Sequence, residues 1–203
     1  MNKSGILTAL AMVVTMCLSP VMAGAPDPNV AVIERFHAAL LDTLKHGKAL
    51  GVAGRYSKLE PEIDVDFDLA LMVQFTVGPK WSGMSESDHA ALVAAFRRMT
   101  IASYAHNFRE FKDQVFTLQP NADVRGPDRL VTSQIIPKGE KPVHLVYRMR
   151  EKAGAARIID VIYESVSQIA TRRADFASTV NAGGAQALVQ KLDVISDKLM
   201  VED

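Results

Sequence analysis

The sequence predicts an α+β domain in which a four-stranded antiparallel sheet carries its helices on one face. Three observations predict it. Apolar residues recur at three- and four-residue spacing up to about residue 108. The period then switches to two, with turn residues at hairpin spacing, over residues 111–163. Helical spacing returns from about residue 165. Helices, then consecutive strands, then helices make segregated layers rather than βαβ units.

The first helix is expected from Asn29 to Lys48, carried by Val32, Ile33, Phe36, Ala39, Leu40, Thr43 and Leu44. His46-Gly47 and Gly51 read as stop signals, and residues 51–63 as a mixed, turn-rich stretch. A second helix is expected over Asp66–Thr76, ending at Gly78-Pro79. A third starts at Ser85, with Asp88 at capping-box spacing, and runs to about Phe108. Phe111–Gln119, Leu130–Pro137, Val143–Arg150 and Arg157–Tyr163 read as the four strands. Asn121, Gly126-Pro127, Lys138-Gly139 and Ala153-Gly154 mark the turns between them. Val143, Leu145, Tyr147 and Met149 alternate most clearly, which makes the sheet an antiparallel meander. Ser165–Val180 and Ala185–Leu199 read as two closing helices, separated by Gly183-Gly184.

Residues 1–23 are of another kind. Lys3 is their only charge, an apolar run spans Ile6 to Leu18, and Val21-Met22-Ala23 places small residues where a signal peptidase reads them. The segment is expected to be a secretory signal removed after Ala23, leaving one domain over residues 24–203. The single cysteine, Cys17, lies in it. A mature chain without disulfides suits a bacterial periplasm and depends on its core for stability.

The chain has 203 residues, 23 basic and 23 acidic, so no large basic field draws a nucleic-acid partner. At 48% hydrophobic and 23% charged it is globular, not disordered. No phosphate-binding glycine loop, nucleophile elbow or H-E-x-x-H occurs, and no cofactor or metal is expected. His37, His46, His89, His106 and His144 are dispersed and read as solvated or capping residues. Asp160 stands among Ile158, Ile159, Val161 and Ile162. It has two readings. It pairs with an arginine (Arg148, Arg172 or Arg173) or lies on the open sheet face; or it is a desolvated general base with Tyr147 or Tyr163 as donor. Arg172-Arg173 reads first as a helix-surface charge and second as a phosphate- or headgroup-binding pair; Arg173 shares a stripe with Ile169 and Phe176 and Arg172 does not, which makes Arg173 the candidate for the second role.

Two blocks are similar to a known family. The first is FDLALMVQFTVGPKW with SESDHAALVAAFRRMTIASYAHNF; the second is VHLVYRMR, RIIDVIYESVSQIATRRADFASTV and GGAQALVQKL. Together they resemble the MlaC or toluene-tolerance family of periplasmic lipid-binding proteins, over about residues 29–200. The stretch Ser167–Phe176 is most like the HpnM branch, associated with hopanoid biosynthesis. Ala156 stands where the family usually has an aromatic, and Ser165 where it commonly has glycine. The resemblance implies a curved sheet in a cone similar to nuclear-transport-factor-2-like folds, with lipid between sheet and helices. It implies no enzyme activity, although such cones also host isomerases and dehydratases. Hopanoid is the expected cargo, with a glycerophospholipid as the alternative. The implied partners are an inner-membrane ABC-type lipid transport complex and an outer-membrane component. The expected lipid-lining residues are Val115, Val131, Ile135, Val143, Leu145, Tyr147, Met149, Val161 and Tyr163 from the strands. Phe75, Phe96, Met99, Tyr104 and Phe108 would face them, with Ile169 and Phe176 nearer the mouth.

Overall fold

The computed structural model describes residues 27–201; the signal segment expected at residues 1–23 lies outside them. Helix α1 spans Pro28–Asp66. Its N-cap, Asp27, accepts the Asn29 amide, and its second oxygen accepts the Ala122 amide at 3.0 Å. The expected stop at Gly51 is a true break, with φ 61° and ψ 174°, a conformation that only glycine adopts without strain. The stretch after it, expected to be mixed and turn-rich, is instead helical to Asp66. Tertiary packing overrides its local turn signals. Leu59 and Ile63 are fully buried. Buried Arg55 donates to the Gly47 carbonyl at 2.8 Å and to the Ala105 carbonyl at 2.6 Å. One cation thus satisfies the carbonyl ends of the first half of α1 and of α3.

Helix α2 spans Leu69–Val77 between the Asp68 cap and Gly78, and a 3₁₀ turn covers Gly78–Gly83. Helix α3 spans Glu86–Asn107 and opens on the expected reciprocal Ser85–Asp88 capping box. Arg97 ties it to Glu60 and Asp64 of α1, both at 2.6 Å, and Arg98 ties it to Asp197.

The sheet has six strands rather than four: β1 Val115–Leu118, β2 Asp123–Arg125, β3 Asp128–Ile136, β4 Val143–Lys152, β5 Ala155–Tyr163 and β6 Val166–Ser167. The two additional strands have three and two residues, too few to show a period of two. All pairings are antiparallel, in the order β1-β3-β4-β5-β6, with β2 also on β3. The sheet is open. Arg148 pairs with Asp160 and Met149 with Ile158, so Ile159 is the residue of a bulge. That one residue puts Ile158 and Val161 on the same face despite their odd spacing. Helix α4 spans Gln168–Leu199, and its backbone breaks at Gly184, φ 63° and ψ −148°, where the sequence places the boundary between two closing helices.

Helices α1, α2 and α4 pack on the sheet, while α3 packs on those three helices. The core runs between the layers through Ile33, Phe36, Leu40, Ile63, Val73, Leu92, Met99, Val131, Met149, Ile158, Leu188 and Leu192. Among the described residues no helix is long and apolar enough to cross a membrane.

Candidate functional site

Because α3 rests on other helices, a space remains between it and the sheet. The cavity measures about 560 Å³. Ile135 of β3, Val143, Leu145 and Tyr147 of β4, and Val161 and Tyr163 of β5 form its floor. The register explains this set: Val161 pairs with Tyr147 and Tyr163 with Leu145, so all four point the same way. Phe96, Thr100, Ser103 and Tyr104 recur along α3 and form the roof, and Leu44, Phe67 and Met72 close the inner end. Phe36, Phe67 and Tyr104 meet edge to face, with ring centroids 5.2–5.8 Å apart. This rigid aromatic wall stops the cavity from collapsing. Asn107, Phe108, Gln114, Pro137 and Tyr163 surround the other end, where Asn107 and Tyr163 are exposed.

Ten of the residues singled out in the sequence stand in this wall: Phe96, Tyr104, Phe108, Ile135, Val143, Leu145, Tyr147, Val161, Tyr163 and Ile169. The others stand elsewhere. Met99, Val131, Met149 and Phe176 fill the solid core. Phe75 packs at the edge of that core, where the Arg150 guanidinium covers its ring. Val115 is 57% exposed on the outer face of β1. Leu44, Phe67 and Met72 were missed because their positions in the wall depend on how α1 and α2 cross the sheet, which no local period reports.

The two arginines divide differently from the expectation. Arg173 lies outside the cavity, its guanidinium against the Gly78 backbone at the end of α2. Arg172 lines the cavity with Gln168 and Ile169. The α4 stripe through Ile169 and Phe176 faces the core; its Arg173 flank meets α2, and its Arg172 flank meets the hollow. The Arg172 guanidinium donates to the Met99 sulfur at 3.0 Å and lies 6.0 Å from the Phe96 ring centre. Desolvation lowers its pKa.

Asp160 is buried but does not line the cavity. One oxygen accepts the Ile169 amide at 3.1 Å and the other the Ser167 hydroxyl at 2.5 Å, so it caps the start of α4. It pairs with none of the arginines weighed for it. Arg148, opposite it in the register, turns instead to Asp128 at 2.5 Å. Nor is His37 a solvated residue: it is 4% exposed, and its Nε2 hydrogen-bonds the Tyr147 hydroxyl at 2.9 Å. Among the described residues no cluster of metal-ligating side chains occurs.

A hollow walled mainly by apolar and aromatic side chains suits a hydrophobic small molecule. The chain belongs to the MlaC protein family, whose model matches residues 34–194; the family is one of carriers, not enzymes. Among solved structures, the chain is similar to a phospholipid-binding protein from Ralstonia solanacearum, determined in complex with a phospholipid. The two are 22% identical, the match covers 86% of this chain and 99% of that one, and the TM-score is 0.74. No curated protein sequence matches the chain.

Proposed function

We propose that this protein is a periplasmic phospholipid carrier, holding the acyl part of a glycerophospholipid in the cavity between the sheet and α3. The cavity itself carries the reading. An acyl chain in water costs roughly 0.8 kcal/mol per methylene, so it cannot cross an aqueous compartment uncovered. The aliphatic floor and aromatic roof offer surroundings comparable to a bilayer, which permits both loading and release. Membership of the MlaC family and the phospholipid held by the Ralstonia solanacearum relative support a glycerophospholipid over the hopanoid suggested by the Ser167–Phe176 stretch. Loading and unloading would fall to an inner-membrane ABC-type complex and an outer-membrane partner, since no nucleotide-binding motif stands in the chain to set a direction.

Native mass spectrometry of the purified chain after exposure to mixed phospholipid and hopanoid vesicles tests the proposal. Phospholipid adducts are expected to dominate. A chain that emerges free of lipid from the mixed vesicles would end the carrier reading, and dominant hopanoid adducts would reassign the cargo.

A further inference from the structure

Arg172 is placed unusually for a charge. Other arginines of the sheet and helices meet oxygen: Arg148 and Arg150 share the Asp128 carboxylate, and buried Arg55 holds two carbonyls. Arg172 meets a thioether and an aromatic face. Among the described residues no carboxylate forms an ion pair with it; Asp175, one turn on, acts on it only at a distance. A thioether is a weak acceptor, and most of the five guanidinium donors remain unused. The Tyr104 hydroxyl, too, makes no hydrogen bond among the described residues; it lines the same cavity and feels the Arg172 charge. Thr100 and Ser103 do not compete, since each donates back to its own helix, to Phe96 and Met99 respectively. Met99 and Phe96 lie about 12–16 Å along α3 from Asn107 at the mouth, at 1.5 Å per residue. Arg172 therefore reaches α3 away from the mouth, while Tyr104, three residues from Asn107, stands nearer to it, and both line the one cavity.

We infer that Arg172 and Tyr104 form an oxyanion site within the cavity, which selects lipids whose acidic group, a carboxylate or a phosphate, is drawn inside with the chain. The inference rests on the carrier reading and specifies its ligand. A guanidinium left without oxygen in a desolvated wall is held at a cost that a bound anion would relieve. An uncharged lipid of the same length fills the same apolar space and leaves both donors unmet.

Calorimetric titration of the delipidated chain with two matched pairs tests this: palmitate against hexadecanol, and palmitoyl lysophosphatidate against monopalmitoylglycerol. The acidic member of at least one pair is expected to bind about tenfold or more tightly than its neutral partner. The pair with the larger ratio identifies carboxylate or phosphate as the preferred group. In Arg172→Met that ratio should fall to about one, while Arg172→Lys keeps part of it and Tyr104→Phe lowers it by a smaller factor. Arg172→Met also removes a half-buried charge that has no carboxylate partner among the described residues, so the lipid-free variant should melt no lower than the parent. Equal ratios in the parent and Arg172→Met would overturn the oxyanion site while leaving the carrier reading in place. A parent chain that binds none of the four lipids would overturn both.

Discussion

His37 and Tyr147 form a buried polar pair behind the cavity floor, with the Phe116 ring 4.5 Å from the imidazole. Among the described residues His37 Nδ1 has no hydrogen-bond partner. Burial disfavours the imidazolium and lowers the His37 pKa from 6.5 to about 4. The unfolded chain therefore takes up a proton below pH 6.5 that the folded chain refuses until about pH 4. Stability from this group is complete above 6.5 and is lost as the pH falls towards 4, by about 3 kcal/mol in all. His37→Gln keeps a neutral polar group and removes the titration. Urea unfolding at several pH values between 7 and 4 should show a shallower decline for the variant than for the parent. Parallel declines would mean that His37 already titrates in the native state at its ordinary pKa. At the same scale, Asp160 shows how a carboxylate among isoleucines comes to be structural. The start of α4 supplies an amide and a hydroxyl, and these occupy both oxygens.

Among the elements, the bend in α1 sets the end of α3 and so the mouth of the cavity. Gly47 lies just before the bend and touches the segment that follows α3. A methyl group added at Gly47 would sit 2.2 Å from the Arg109 carbonyl oxygen, a backbone atom that cannot swing aside. Gly47→Ala is expected to destabilise the protein by about 1–3 kcal/mol through this overlap. It should also displace Asn107 and Phe108, which immediately precede Arg109. The urea midpoint measures the first effect and lipid uptake rates the second; an unchanged midpoint would show that α1 and α3 part freely here. Bulging at Ile159 has a comparable role in the sheet. It keeps Ile158 in the core and turns Val161 and Tyr163 towards the hollow.

For the whole molecule, the cavity is packing forgone. The aromatic wall and the ion pairs from α3 to α1 and α4 hold the layers apart, so the apolar surface facing the hollow lacks protein neighbours. A lipid that fills the hollow binds the native state alone, and raises the melting temperature with its concentration. Val161→Trp places a large side chain at the middle of the floor. The lipid-free variant should melt at or near the parent temperature, and the lipid-dependent rise expected of the parent should vanish. A rise equal to that of the parent would locate the ligand outside this cavity.

The order of elements, the Ser85–Asp88 cap, the hairpin turns and the alternation in β4 depend on neighbours in the chain, and the amino-acid sequence by itself determined them. Its two quoted blocks also carried the family. The continuation of α1 past Gly51 was not legible, because Arg55 acts on the Gly47 and Ala105 carbonyls only once α3 is in place. Outside the short strand β1, where Val115 faces outward, periodicity could tell inward residues from outward ones. It could not separate a residue that fills the core, such as Met99 or Val131, from one that borders a void, such as Phe96 or Val161, since both are apolar and inward. That distinction depends on how far α3 stands from the sheet. The same distance turned Arg172 rather than Arg173 into the hollow, for a one-residue step is about 100° around a helix and the boundary between core and cavity falls between them. Local spacing sets which side of an element is apolar, and only the tertiary arrangement decides what that side meets.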